Sequence, residues 1–326
     1  MKFLIAGTGS IGQRHIRNLC QLRSDVEFMF LRKNGFADEL SIKLNACVVP
    51  TFNEALDHAP DALVIATPSA FHSELLLPAI KSGLPVYVEK PVVTCQEDIE
   101  AVELAITTSS YVATNLAGCN LRFLPSLQRM CSQLRDGSIG RIVRGSFEAG
   151  QWLPDWRPGK DHRLTYSADP RKGGGVIMDL IHELDSARWL CGEIDDVKAF
   201  SEQVSTLEIA TECVVGAVMR SDSGALINLG LDYVARQPLR RYQLVGEEGT
   251  LTWDLSDKSL VRHTPNHKEI IESGENSFDV SQTYVTAMAE FLASIESGRP
   301  TSQPLKEGLR SCELAIRIKE QLCQAS

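Results

Sequence analysis

The sequence predicts an α/β chain of two domains, in which a doubly wound parallel sheet precedes an α+β domain with an open, mainly antiparallel sheet. Strands and helical patterns alternate over residues 1–120, whereas β-rich segments over residues 121–326 follow one another largely without helices between them. A chain of 326 residues with 43% hydrophobic residues is long enough to fill two cores. We therefore expect the domain boundary between residues 120 and 121.

The first element is a strand, a glycine loop and a helix, in that order. An apolar run at residues 3–6 leads directly into a G-x-G-x-x-G motif and then into a helical pattern. The motif comprises Gly7, Thr8, Gly9, Ser10, Ile11 and Gly12. Its glycines allow a tight turn, the approach of a pyrophosphate and close packing of the helix. This order predicts a Rossmann-type domain that binds a dinucleotide, with a purely structural glycine turn as the alternative.

The second strand, residues 26–31, ends in Arg32 and Lys33. A fold that binds NAD usually offers an acidic side chain at this point to the ribose hydroxyls, and two cations suit a 2′-phosphate better. We therefore expect NAD or NADP as the cofactor, with a preference for NADP. The alternative is that both side chains are ordinary exposed turn charges.

Two later strands, residues 61–66 and 85–88, end in motifs at the same edge of the predicted sheet, where ligands of parallel sheets bind. The side chains assigned here to the cofactor are Thr67, Pro68, His72, Glu89 and Lys90. Lys90 can also donate a hydrogen bond to a substrate oxygen and stabilise a developing alkoxide. A capping or packing role is the alternative for His72, and a surface position before Pro91 is the alternative for Lys90.

Three glycines, Gly173 to Gly175, lead into an amphipathic helical pattern whose polar side carries Asp179 and His182. At a spacing of i, i+3, the carboxylate and the imidazole point into the same space, where they can orient a hydroxyl and remove its proton. The alternative is a solvated polar face without chemistry.

The loop of residues 151–167 interleaves aromatic side chains with arginines and prolines. Such a loop can form one wall of a binding pocket, where it stacks on a sugar or nicotinamide ring and binds anionic groups. We assign Trp156, Arg157, Arg163 and Tyr166 to it. Trp152 fits this wall and a contact between domains equally well.

Composition limits the partners. A net charge of −9 with both signs scattered argues against a nucleic-acid surface, and no apolar run is long enough for a membrane span. Nine cysteines at irregular spacings fit reduced thiols in a cytoplasmic protein, so we expect neither disulfides nor a metal site. The expected partner is a small molecule.

The ordered set of motifs resembles the Gfo/Idh/MocA oxidoreductases over nearly the whole chain: the glycine loop, Thr67-Pro68, Glu89-Lys90-Pro91, and the three glycines before Asp179 and His182. The resemblance implies NAD(P)-dependent oxidation or reduction of a sugar, inositol or related polyol. It also implies a dimer or tetramer formed through the free face of the C-terminal sheet. In this pattern Lys90 is the lysine of the E-K-P motif and His182 transfers the proton. Many members place the aspartate four residues before the histidine, whereas Asp179 is three before.

Asn120, Arg122 and the Trp156-Arg157 loop are similar to members found with bacterial surface-sugar pathways. This similarity implies an amino, phosphorylated or nucleotide-linked sugar and assigns Asn120 and Arg122 to substrate binding. Two other functions stay open. One is a non-catalytic dinucleotide-binding sensor, and the other is an enzyme that retains NAD and cleaves glycosides through transient oxidation.

Overall fold

The structure, a computed structural model, describes residues 1–324, which form two compact units. Unit 1 comprises Met1–Cys119 and Tyr284–Cys312, and the described part of unit 2 comprises Asn120–Thr283 and residues 313–324. The α/β class and the predicted kinds of sheet are both confirmed.

Within the described chain, unit 1 is built on a six-stranded sheet in which every pairing is parallel, with the order β3-β2-β1-β4-β5-β6. This is the strand order of dinucleotide-binding domains, whose ligands bind beyond the carboxyl ends of the strands. The strands are β1 (Lys2–Ala6), β2 (Glu27–Leu31), β3 (Cys47–Val49), β4 (Ala62–Ile65), β5 (Val86–Glu89) and β6 (Asn115–Gly118). The helices are α1 (Ser10–Leu22), α2 (Glu39–Lys43), α3 (Phe52–Asp57), α4 (His72–Lys81) and α5 (Gln96–Thr108).

The segment Tyr284–Cys312 returns to unit 1 and covers the edge of its sheet. The backbone N–H of Ala117 in β6 donates to the carbonyl oxygen of Gln303 at 2.8 Å. A Cβ on Gly308 would lie 2.6 Å from the side chain of Ala117, so the helix that carries it packs closely on β6. The expected division at residues 120 and 121 assigns this segment to the second domain, whereas in the structure these contacts hold it in the first unit.

The described part of unit 2 contains a mixed sheet of eight strands in the order β14-β13-β12-β11-β7-β10-β9-β8. Only β7 and β10 pair in parallel, and the other neighbours are antiparallel. The strands are β7 (Ile142–Gly150), β8 (Ile194–Glu202), β9 (Val214–Ser221), β10 (Leu226–Asp232), β11 (Leu239–Gly246), β12 (Thr250–Asp254), β13 (Ser259–Thr264) and β14 (His267–Ser273). The remaining helices are α6 (Pro125–Arg135), α7 (Val176–Asp179), α8 (Ile181–Cys191), α9 (Glu275–Phe278), α10 (Val280–Ser297) and α11 (Leu305–Gln324).

One face of this sheet is covered and the other is open. Along β10, Ile227, Leu229 and Leu231 are buried, whereas the alternating residues are more exposed, as expected for a strand with one face on the core. Helix α8 packs on the covered face, against β7 and β10. The other face carries Phe200, which is 75% exposed, and Val218, which is 53% exposed.

Some boundaries differ from the sequence-based expectation. The sequence pattern predicts a strand at residues 111–117, whereas β6 begins at Asn115 and ends at Gly118, because α5 is followed by a turn in which Ser110 has a positive φ of 48°. Strands β3, β13 and β14 were not predicted. Among residues 1–324, no helix is long and apolar enough to span a membrane.

Candidate active site

The glycine loop of unit 1 joins β1 to α1 and leaves open space at its second glycine. Gly7 has a φ of +93°, and a Cβ there would lie 2.4 Å from the carbonyl oxygen of Ala66, so a side chain does not fit. Gly9 caps the N-terminus of α1, and a Cβ on it would meet no atom within 4 Å. Open space in front of helical N–H groups fits the pyrophosphate of a dinucleotide.

Arg32, at the carboxyl end of β2, contacts this loop. Its Nη2 donates to the Thr8 hydroxyl at 3.2 Å and lies 2.7 Å from Oδ2 of Asp38. The hydrogen bond from Arg32 is the main reason that the pKa of Asp38 falls to about 2. Lys33 is exposed. Arg32 therefore lies beside the glycine loop, and its charge is shared with Asp38, which the sequence did not single out.

His72 ties together the loops that follow β4 and β5. The residue is fully buried, with Nδ1 2.9 Å from the carbonyl oxygen of Pro91 and Nε2 2.9 Å from that of Thr67. Burial lowers the pKa of the imidazole, and the neutral ring, which carries one N–H, donates to one of these two carbonyl oxygens at a time. Thr67 is partly buried and Pro68 is exposed, so these two can face a ligand, whereas the His72 side chain holds the loops in position.

Glu89 ends β5, and its carboxylate points back to the first helix. Its Oε1 lies 2.6 Å from Nε2 of His15, and both residues are buried. This pair ties the strand before Lys90 to α1, the helix that begins at the glycine loop. Lys90 follows at the carboxyl end of β5 and is partly exposed.

In unit 2, Asp179 and His182 lie on two short helices instead of one. Helix α7 ends at Asp179 and α8 begins at Ile181, with Leu180 between them at φ −100° and ψ 33°. The expectation of one continuous helix is therefore wrong, because the backbone leaves the helical region at Leu180. Gly175 has a φ of +112° before α7, in a conformation that disfavours any other residue.

The polar side chains of these helices are buried instead of solvated. Asp179 is 3% exposed and His182 is 7% exposed. Helix α8 contacts β7 and β10 as well as the 3₁₀ turn at residues 120–123. The solvated-face alternative is thereby excluded, and the buried carboxylates need polar partners.

Two tyrosines donate hydrogen bonds to the carboxylate of Asp179. The Tyr233 hydroxyl donates to Oδ2 at 2.6 Å, and the Tyr166 hydroxyl donates to Oδ1. Burial, reinforced by the charge of Asp179, raises the pKa of both phenols well above 10, so both stay protonated donors. Trp156 packs edge-on against the Tyr233 ring at 5.3 Å, and the Arg157 guanidinium lies 5.1 Å from the centre of the Tyr166 ring.

The other acidic residues of α8 form structural pairs. The buried carboxylate of Glu183 accepts from the Tyr242 hydroxyl at 2.9 Å and pairs with Arg240 Nε at 2.7 Å. Asp185 accepts two hydrogen bonds of 2.8 Å from Arg122. These contacts fix α8 to β11 and to the segment before α6.

The structure therefore divides the predicted substrate residues into two groups. Trp156, Arg157 and Tyr166 lie around Asp179 as described above. The Asn120 amide is buried and donates to Thr283. Two N–H groups of the Arg122 guanidinium donate to the carboxylate of Asp185. Arg163 pairs with Asp161 and Glu208.

Sequence reasoning missed Tyr233 and Glu212. No local pattern marks Tyr233, because its donation to Asp179 bridges 54 residues of sequence. Glu212 lies behind Gly175, where a Cβ would be 2.3 Å from its Oε1, and burial raises the pKa of its carboxyl. In residues 1–324, no group of three or more His, Cys, Asp or Glu side chains could hold a metal ion.

Comparison with known families matches both parts of the chain. The family described as "Oxidoreductase family, NAD-binding Rossmann fold" matches residues 1–115, and the "GFO/IDH/MocA C-terminal domain" matches residues 127–252. The fold and these matches define an oxidoreductase with a nicotinamide cofactor. The chain belongs to the Gfo/Idh/MocA family.

Relatives within the family include proteins named for sugar chemistry. The chain is 26% identical over 265 residues to 1,5-anhydro-D-fructose reductase of Ensifer adhaerens, covering 79% of this chain and 76% of that protein. It is 30% identical over 195 residues to the rhizopine catabolism protein MocA of Rhizobium meliloti, covering 58% of this chain and 56% of that protein. Levoglucosan dehydrogenase in complex with NADH shares the fold, with a TM-score of 0.87 and 18% identity, covering 100% of this chain and 98% of that one.

Proposed function

We propose that this protein is a dehydrogenase or reductase that moves a hydride between a nicotinamide cofactor and a carbinol carbon of a sugar or sugar derivative. The observation that carries the proposal is the buried Asp179, held by the hydroxyls of Tyr166 and Tyr233 three residues before His182. The names of the family relatives, which include a reductase and a dehydrogenase of anhydro sugars, support a sugar as the substrate.

His182 and Lys90 are the proposed catalytic residues. His182 accepts the proton of the sugar hydroxyl during oxidation and returns it during reduction. The ammonium of Lys90 donates to the same oxygen and stabilises the negative charge that develops on it. Asp179, fixed by its two tyrosines, orients the sugar or the imidazole.

The cofactor is proposed to lie on the backbone of Gly7 to Gly12, bordered by Arg32, Thr67 and Pro68. A bound nicotinamide dinucleotide supplies the hydride acceptor or donor for this reaction. We propose NADP as the preferred form, because β2 is followed by Arg32 and Lys33. The contact between Arg32 and Asp38 opposes this preference, because a 2′-phosphate has to compete with the carboxylate.

The His182→Ala variant tests the proposal, with cofactor binding and turnover measured separately. Positioned acid-base catalysis contributes about 10² to 10⁴-fold, so turnover with an accepted sugar should fall by that factor. Binding of the nicotinamide cofactor, measured by calorimetry, should change little. Loss of cofactor binding together with turnover would contradict the role given to His182.

We further propose a homo-oligomer and a cytoplasmic location. The apolar side chains on the open sheet face, Phe200 and Val218 among them, support a dimer or tetramer formed through that face. Every cysteine whose side chain is described is free, which supports a reducing compartment.

A further inference from the structure

We propose that Arg157 and Arg236 form an anion-binding subsite, so that the sugar substrate carries a carboxylate or a phosphate group. This inference rests on the proposed function and narrows its substrate class. Arg236 was not singled out by the sequence, and its place beside the 151–157 segment is visible only in the structure.

The other arginines of this region already have their hydrogen-bonding forks filled by acidic side chains. Arg122 donates two bonds of 2.8 Å to Asp185, and Arg188 donates bonds of 2.8 and 2.7 Å to Glu193. Arg163 is held by Asp161 and Glu208. Their charges are used to hold the structure together, so they are poor candidates for a ligand.

Arg157 and Arg236 instead contact aromatic faces. The guanidinium carbon of Arg157 lies 5.1 Å from the centre of the Tyr166 ring, and that of Arg236 lies 3.6 Å from the centre of the Trp152 ring. Within the described residues 1–324, no carboxylate forms an ion pair with either of them. A guanidinium that lies over an aromatic ring contacts the ring with its flat face. Its N–H donors lie in the guanidinium plane and stay available to an oxyanion.

The two arginines come from segments that are bonded to each other. The backbone N–H of Leu153 donates to the carbonyl oxygen of Tyr233 at 2.9 Å. The turn before Arg236 is fixed by Asp232, whose Oδ1 accepts from the N–H groups of Val234 at 2.8 Å and Ala235 at 2.6 Å. Both cations are therefore presented from anchored backbone, which lowers the entropy cost of binding a ligand.

The subsite is connected to the acid cluster through one aromatic ring. Arg157 contacts the face of Tyr166, and the hydroxyl of the same tyrosine donates to Asp179. One tyrosine side chain therefore separates the Arg157 cation from the Asp179 carboxylate. A single sugar can therefore place its ring at Asp179 and its anionic group at Arg157.

The test is equilibrium binding to the full chain with cofactor present, at constant ionic strength, using D-glucose, D-glucuronate and D-glucose 6-phosphate as probes. Charge-assisted hydrogen bonds predict that one or both anions bind about 10- to 100-fold more tightly than glucose. The glucuronate and phosphate arms distinguish a carboxylate from a phosphate as the recognised group.

Substitutions then locate the effect. Arg157→Gln and Arg236→Gln should each reduce the preference for the anion by about tenfold or more, mostly as a rise in Kd or KM with kcat retained. Arg157→Lys keeps the charge but loses the paired N–H donors of the guanidinium. Its preference for the anion should therefore lie between that of the parent and that of Arg157→Gln. Arg171→Gln is the matched control, because Arg171 pairs with Asp169 at the surface; it should leave anion binding within about twofold, since exposed ion pairs contribute little.

The subsite is refuted if the three probes bind equally, or if Arg157→Gln and Arg236→Gln behave like Arg171→Gln. Oxidation of neutral sugars without any preference for anions would leave the proposed function in place and remove the subsite. Anion binding that responds to both arginines, without any change in the redox state of the cofactor for any sugar, would support the subsite and refute the proposed function.

Discussion

The Tyr233→Phe substitution tests whether the hydroxyl on Asp179 supports both folding and turnover. It removes the donor of the 2.6 Å hydrogen bond to Oδ2 and retains the ring that packs against Trp156. A buried hydrogen bond to a charged group contributes about 1.5–3 kcal/mol, so the free energy of unfolding should fall by about that amount. A comparable loss in the transition state corresponds to a decrease of about tenfold or more in kcat/KM.

The assay combines denaturant unfolding with steady-state turnover, and Tyr242→Phe is its control. Tyr242 also donates from a buried hydroxyl to a carboxylate, that of Glu183, which keeps its ion pair with Arg240. This control should lose stability and keep turnover, because Glu183 has a structural role. Unchanged turnover in Tyr233→Phe, or an equal loss of turnover in both variants, would refute the reasoning.

Further predictions concern a buried acid, a buried imidazole and the open sheet face. Burial raises the pKa of Glu212 above 4.5, so the native state holds this proton more tightly and stability falls as the pH rises through that value. Glu212→Gln should therefore be more stable than the parent at about pH 7 and equal to it at about pH 4, and identical melting temperatures at both pH values would contradict this. His72→Ala removes the buried imidazole that lies between two loop carbonyls and should weaken calorimetric cofactor binding by about tenfold, whereas unchanged affinity would show that this side chain is dispensable. Phe200→Glu combined with Val218→Glu should reduce the particle mass in light scattering, and an unchanged mass would contradict assembly through the open face.

Local patterns were sufficient to predict the glycine loop and its surroundings. The apolar run, the glycines and the helix that follow one another between residues 2 and 22 are consecutive in the sequence, so no distant contact was needed to recognise them. The positions of Thr67, Glu89 and Lys90 at strand ends followed in the same way, because parallel strands present their carboxyl ends at one edge.

The environment of Asp179 could not be predicted, because distant residues create it. The periodicity of residues 176–191 indicated one helix with a polar side, but it did not indicate that α8 is enclosed by β7, β10 and the turn at residues 120–123. The donor Tyr233 is far along the chain, and the break at Leu180 has no Gly or Pro to mark it.

The sequence also did not indicate which arginines form ion pairs with acidic side chains. Arg122, Arg157 and Arg163 have the same chemistry, and only the three-dimensional structure shows that acidic side chains pair with Arg122 and Arg163.

Strands β13 and β14 were missed for a different reason. Within them Leu260 is the only buried residue, so alternation gave no signal.

The most direct test of the central claim is the transfer of deuterium from a sugar deuterated on its carbinol carbons to the oxidised nicotinamide cofactor, followed by mass spectrometry. The proposed hydride transfer predicts that the reduced cofactor carries the deuterium and that the sugar is released as a carbonyl compound. His182→Ala should bind the same cofactor and transfer deuterium about 10² to 10⁴-fold more slowly. A cofactor that binds tightly and gains no deuterium from any sugar, neutral or anionic, would contradict the account.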